Sequence, residues 1–174
     1  MLMGGCMKDS KRYMLPIIIL VMIDQFVKLI ISSLFINDEY NIIGDALRFH
    51  PIQNTHLSFA GNYINFFSSM WVLIVLNIIV ILVFISGYMF YKSKKRKDTL
   101  IVNIIMISGL SGCICSLIDK ILWGGSLDFL QIPQLFTFDL KDCYLSVAIT
   151  LFLIIGLMHN KEISVKEYLK FFLK

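Results

Sequence analysis

The sequence predicts an all-α membrane protein: four transmembrane helices, a small β-containing region in the first outer loop and an interfacial second outer loop. Three observations lead there. Of 174 residues, 57% are hydrophobic and 16% charged, and the mean hydropathy is +0.78, more apolar surface than a soluble domain can hide. Four stretches, about 14–36, 68–91, 99–119 and 142–159, can each cross a hydrocarbon core of about 30 Å, which takes roughly 20 helical residues. Basic residues are segregated along the chain, which sets the orientation.

Lys8, Lys11 and Arg12 precede the first stretch, Lys92, Lys94, Lys95, Arg96 and Lys97 lie between the second and third, and Lys161, Lys166, Lys170 and Lys174 follow the fourth. The intervening loops, 37–67 and 120–141, hold only Arg48, Lys120 and Lys141. The positive-inside rule therefore predicts cytoplasmic termini and outward-facing loops 37–67 and 120–141. The whole of 1–174 reads as a single integral membrane domain. The net charge of +4 is accounted for by topology and anionic headgroups, with no nucleic acid partner. The first apolar stretch is of full span length and has no small-residue site after it, which argues against a cleavable signal peptide.

Pro16 falls in the first turns of span one, where a proline is tolerated. In the first outer loop, "DALRFHPIQNTHLSF" alternates weakly, with Pro51 interrupting, and predicts short edge-type strands. The second, "KILWGGSLDFLQIPQLFTF", is rich in aromatics and leucine, as in a segment lying in the interface. Trp71 and Trp123 read as interface anchors, and His50 and His56 as solvated surface groups. Cys113 and Cys115, two apart on a helix, point roughly 200° from each other and cannot clamp one metal. With Cys6 and Cys143 they read as small apolar filler, and no metal or organic cofactor is called for.

Charges inside the spans carry the chemistry. Asp24 and Lys28 are four residues apart, on one helix face and in acid-before-base order, and such groups in a bilayer normally find a partner inside the protein. Span three ends at Asp119 near the outer surface, where span four starts with Asp142. Topology thus brings two carboxylates to one depth. Each tops a polar stripe, Ser108, Gly112, Ser116 and Asp119 on span three and Asp142, Ser146 and Thr150 on span four, and small residues let such faces meet. Carboxyl groups sharing a site tend to share a proton, so that one can activate water while the other donates to a carbonyl oxygen.

The chain also resembles a family, the lipoprotein signal peptidases (signal peptidase II), over nearly its whole length. "DQFVK" at 24–28 matches D-Q-x-x-K, and "NTHLSFAG" at 54–61 resembles N-x-G-A-A-F. "GLSGCICSLIDK" at 109–120 resembles G-G-A-x-G-N-x-x-D-R, "GGSLDF" at 124–129 G-x-V-x-D-F, and "FTFDLKD" at 136–142 F-N-x-A-D. The resemblance implies a membrane aspartyl endopeptidase of the bacterial cytoplasmic membrane, with lipidated prolipoproteins and membrane lipids as partners and with Asp119 and Asp142 as catalytic pair. Asn54 would hydrogen-bond the scissile region or a carboxylate; Asp24, Gln25 and Lys28 would support the site, and Asp128 would fix the outer loop or touch substrate. Phe49, Phe59, Phe129 and Phe138 would exclude water and accept acyl chains, or pack at the interface.

The chain departs from the pattern at Ser116 for asparagine, Lys120 for arginine, His56 for glycine, and Asp139 and Lys141 beside the proposed pair. Ser116 has a shorter reach and Lys120 loses the planar fork. Two other readings stay open on the residues: an inactive paralog that binds lipidated signal peptides without cutting them, and a small proton- or ion-coupled membrane subunit. The apolar "LFLIIGL" below Thr150 weighs against the second.

Overall fold

The computed structural model describes residues 3–54, 69–95, 100–158 and 170; of residues 3–12, 94–95, 156–158 the backbone alone is described. Its elements in order are α1 (Met3–Ile30), a π-helical turn (Ile31–Phe35), β1 (Tyr40–Ile43), β2 (Leu47–Asn54), α2 (Met70–Lys95), α3 (Leu100–Ile118), a second π-helical turn (Asp119–Trp123), β3 (Ser126–Ile132), β4 (Phe136–Phe138) and α4 (Leu140–Met158). Three segments, Tyr13–Phe35, Met70–Ser93 and Leu100–Trp123, are long and apolar enough to cross a membrane. Helix α1 begins at Met3, so Pro16 lies inside it and not in its first turns.

The outer loops fold together. The strands form one antiparallel sheet in the order β1-β2-β3-β4, so the first loop pairs with the second through Asn54↔Ser126 and Phe49↔Leu130. The register shifts between Phe49 and Ile52, on either side of Pro51, which has no N–H for the ladder. The second loop is more than an interfacial segment: after its π-helical turn it supplies β3 and β4. Its sequence hid this because Leu127, Asp128 and Phe129 are consecutive and all buried, so the central strand shows no alternation. The turn into β3 closes at Gly124, whose φ of 65° suits a residue without Cβ and whose N–H reaches back to the Asp119 carbonyl.

Beneath the sheet, Ile31, Phe49, Leu127 and Phe129 form a core against which Val27, Leu130 and Leu140 pack. Phe49 and Phe129 are therefore largely interior side chains, and Phe49 also lines an open apolar pocket with Val27, Ile30, Ile31, Phe35 and Tyr40. The most extensive helix contact is between α3 and α4. It closes at Gly112, where a Cβ would sit 2.6 Å from Leu145 Cγ and 3.2 Å from the Lys141 carbonyl oxygen. The polar stripe of α3 takes part, with Ser108 and Gly112 buried. That of α4 does not: Ser146 and Thr150 are exposed, and Lys141 and Ala148 are buried instead, because close approach favours whichever side chains fill the α3 groove, polar or not.

Candidate active site

At one end of α1, α3 and α4, five carboxylates and two lysines meet under the sheet, with a third lysine, Lys120, beside them. Asp24 and Lys28 come from α1, Asp119 and Lys120 from the π-helical turn after α3, Asp128 from β3, Asp139 from the β4–α4 link, and Lys141 and Asp142 from the first turn of α4. Asp24, Lys28, Asp119, Asp128, Asp139 and Lys141 are all buried.

The Lys28 ammonium is the hub of one half. It lies 2.9 Å from Asp24 Oδ2, 2.7 Å from Asp119 Oδ2 and 2.7 Å from Asp139 Oδ2, one carboxylate for each of its donors. Gln25 Nε2 donates to Asp24 at 3.0 Å and to Asp119 at 3.2 Å. The Gln25 carbonyl accepts from the Trp123 indole at 3.1 Å, so Trp123 is tied into the site and is more than an interface anchor. Asp24 Oδ1 accepts the Lys141 backbone N–H at 3.1 Å, so α1 caps α4.

Asp139 and Asp142 form a reciprocal cap on α4. Asp139 Oδ1 accepts the Asp142 N–H and Asp142 Oδ2 accepts the Asp139 N–H, each at 3.2 Å, a box in which both residues satisfy orphan donors of the first turn. Burial pushes the Asp139 carboxyl up, but the Lys141 and Lys28 ammonium groups beside it win and hold it below the usual carboxylate range.

The second half gathers around Asp142. Carboxylate oxygens of Asp128, Asp139 and Asp142 all lie within 4.8 Å of one another. Asp128 accepts from Ser126 Oγ at 2.7 Å and from Asn54 Nδ2 at 3.1 Å. Lys141 Nζ donates to Ser126 Oγ and to Asp139, and stands 3.2 Å from Asp119 Oδ2 and 3.7 Å from Asp128 Oδ1. A hard cation asks for six or more oxygens; here lysine ammonium groups already supply positive charge among these carboxylates.

Asp119 thus belongs to the lysine-rich half, whereas the carboxylates that gather with Asp142 are Asp128 and Asp139. Lys120 turns the other way and donates to Ser116 Oγ at 2.6 Å and to the Ser116 carbonyl at 3.2 Å. Phe129 lies behind the site in the core, and Phe138 is half-buried at its rim. His50 pairs with Glu39 at 2.8 Å, away from the network. Cys113, Cys115 and Cys143 are free thiols. His56 and Phe59 lie outside the described residues. Sequence reasoning set Asp139 and Lys141 beside the proposed pair but missed Ser126 and the contacts that join all three. The signal was present: each stands where the motifs carry valine, asparagine or alanine, and three departures toward polar or charged residues near one site invite a common contact.

A family model for signal peptidase (SPase) II matches residues 16–158. The chain belongs to the signal peptidase II family. A lipoprotein signal peptidase from Borrelia hermsii (strain HS1 / DAH) is 36% identical over 159 residues, covering 84% of this chain and 89% of the relative. Two bacterial membrane enzymes solved by the in meso method share the fold. One, at 2.3 Å resolution, has a TM-score of 0.70 and 21% identity, with 89% of this chain and 94% of that one covered; the other, at 1.9 Å, has a TM-score of 0.66 and 20% identity, with 87% and 95% covered. Membership makes the chain a membrane peptidase of the class that removes signal peptides from prolipoproteins, and gives no support to an ion-coupled subunit.

Proposed function

We propose that this signal peptidase II family member is an aspartyl endopeptidase that cuts diacylglyceryl-modified prolipoproteins at the outer surface of the bacterial cytoplasmic membrane, with Asp128 and Asp142 as its working pair. The observation that carries the reading is that the Asp128 and Asp142 carboxylates lie within 4.8 Å of each other, while Asp119 is bound to Lys28 at 2.7 Å. A dyad needs two carboxyl groups that hold one proton between them. An aspartate fixed against an ammonium is poorly suited to exchange one.

In this reading α4 is a fourth crossing, the termini are cytoplasmic, and the sheet sits on the outer face above the lipid. The substrate's signal helix lies against the spans and its acyl chains stay in the bilayer, beside exposed Leu122, Leu135 and Phe136. One aspartate takes a proton from water, whose oxygen bonds to the scissile carbonyl carbon. The other aspartate gives its proton to the tetrahedral intermediate, the C–N bond breaks, and the amine leaves protonated. Asn54 and Ser126 orient Asp128; Asp24, Gln25, Lys28 and Asp119 fix the helix ends; Ser116 and Lys120 brace the end of α3.

The Asp119–Asp142 pair expected from sequence is the second reading, favoured by the position of both at the adjoining ends of α3 and α4. Cleavage of a purified diacylglyceryl-modified prolipoprotein, followed by gel shift, separates the two. Asp128→Asn and Asp142→Asn each abolish cleavage by at least about 1,000-fold, and folded Asp119→Asn keeps measurable activity. Activity in Asp128→Asn with none in folded Asp119→Asn would return the role to Asp119. A wild type that binds substrate and leaves it intact would point to the non-cutting paralog.

A further inference from the structure

The two proposed working carboxylates are unequally served. Asp128 receives a hydroxyl on Oδ1 and an amide on Oδ2, at 2.7 and 3.1 Å, and has an ammonium at 3.7 Å. Asp142 accepts the Asp139 backbone N–H at 3.2 Å, and no ion pair to it forms among the described residues. The Ser126 hydroxyl has one proton. Because its oxygen receives an N–H from Lys141 Nζ, that proton points onward to its nearest acceptor, Asp128 Oδ1.

We propose that Lys141, acting directly and through Ser126, is a positioning residue that keeps the negative charge of the pair on Asp128 and the shared proton on Asp142. This rests on the Asp128–Asp142 reading and deepens it: Asp128 becomes the base that takes the proton from water, and Asp142 the acid that supplies the leaving amine. It also gives the departures from the family motifs a common purpose. Ser126, Asp139 and Lys141 touch one another, so the cation arrives with a carboxylate that pairs it and a hydroxyl that extends its reach.

The test is the pH profile of kcat/KM for prolipoprotein cleavage by the full chain in lipid, for wild type, Lys141→Gln, Lys141→Arg and Ser126→Val. The other titratable and charged groups near Lys141 and Asp128 are Asp24 and Lys28 from α1, Asp119 and Lys120 from the end of α3, and Asp139 and Asp142 at the start of α4. They are common to all four proteins, so a displaced limb reports the substituted group. Loss of the cation in Lys141→Gln moves the acid limb to higher pH by about one unit, because the base then keeps its proton longer. Ser126→Val moves it the same way by less, and Lys141→Arg, which keeps the charge, leaves it near wild type.

A Lys141→Gln profile that falls in height without moving, or an Arg variant displaced as far as the Gln variant, overturns the proposal. If Lys141→Gln does not fold, Ser126→Val decides alone, since it leaves no charge unpaired: a displaced limb supports the relay, and an unmoved one overturns it. Active Asp128→Asn removes both this inference and the pair on which it rests. Inactive Asp128→Asn with unmoved limbs removes the role of Lys141 alone.

Discussion

Asp119 and Asp142 sit at adjoining ends of packed helices, yet their surroundings differ in kind. Around Asp119 every carboxylate has an ammonium: Lys28 touches Asp24, Asp119 and Asp139, and Lys141 closes the far side. Around Asp142 the ion pairs thin out: none forms to Asp142 among the described residues, and Asp128 is served by an ammonium at 3.7 Å and by neutral donors. A buried cluster in which every carboxylate touches an ammonium is a clamp, because removing an ammonium leaves carboxylates undercompensated. Two carboxylates left close together with incomplete compensation have a proton to share, which is what hydrolytic chemistry requires. Under the proposed function, the same residue type is structural on one side of Lys141 and reactive on the other.

The sharpest way to break this contrast is at the hub. Lys28→Met strands Asp24, leaves Asp119 and Asp139 with Lys141 alone and lowers stability by about 3–5 kcal/mol, read as thermal unfolding in detergent, whereas Asp142→Asn leaves the unfolding midpoint close to wild type while cleavage disappears. Equal destabilisation by both would erase the distinction between the halves. The helix contact that holds the halves together comes next. Gly112→Ala drives a Cβ into Leu145 and the Lys141 carbonyl and costs about 1–3 kcal/mol, with a larger loss of cleavage than of stability if the placement of Lys141 matters to the chemistry.

Asp139 belongs to both halves, and its titration has a definite sign. Its folded carboxyl lies below the ordinary range, so the stability it contributes is fully present above the unfolded value of about 3.9 and is lost as pH falls through the folded one. Wild type therefore loses stability from about pH 4 downward, and Asp139→Asn flattens that limb; an unchanged limb would mean that the lysines do not hold Asp139. The smallest effect is expected at the exposed edge of the sheet. Glu39→Gln, which removes the half-exposed pair with His50, changes stability by at most about 1 kcal/mol and leaves cleavage untouched.

Much of this was legible one residue at a time. The apolar stretches read as helices because a helix satisfies its own backbone, and Asp24 and Lys28 could be placed on one face from their spacing alone. β2 was visible in alternation around Pro51, although it lies between β1 and β3 and not at an edge, and β1 falls before the stretch that alternates. β3 was not, because a strand buried on both faces has no alternating pattern to read. For the same reason Asp128 looked like a loop acid: nothing local says that it lies against Asn54 of another strand and Asp142 of another helix.

Composition, hydropathy and charge order by themselves determined that the chain is helical and membrane-bound and that carboxylates lie at its helix ends, since these follow from the cost of polar groups in lipid and from local periodicity, while short motifs in the right order carried the family resemblance. Which carboxylate pairs with which was decided by tertiary structure alone. The charge on an aspartate is a property of its neighbours, and the neighbours of Asp119, Asp128 and Asp142 arrive from three helices and a sheet whose packing no stretch of sequence contains.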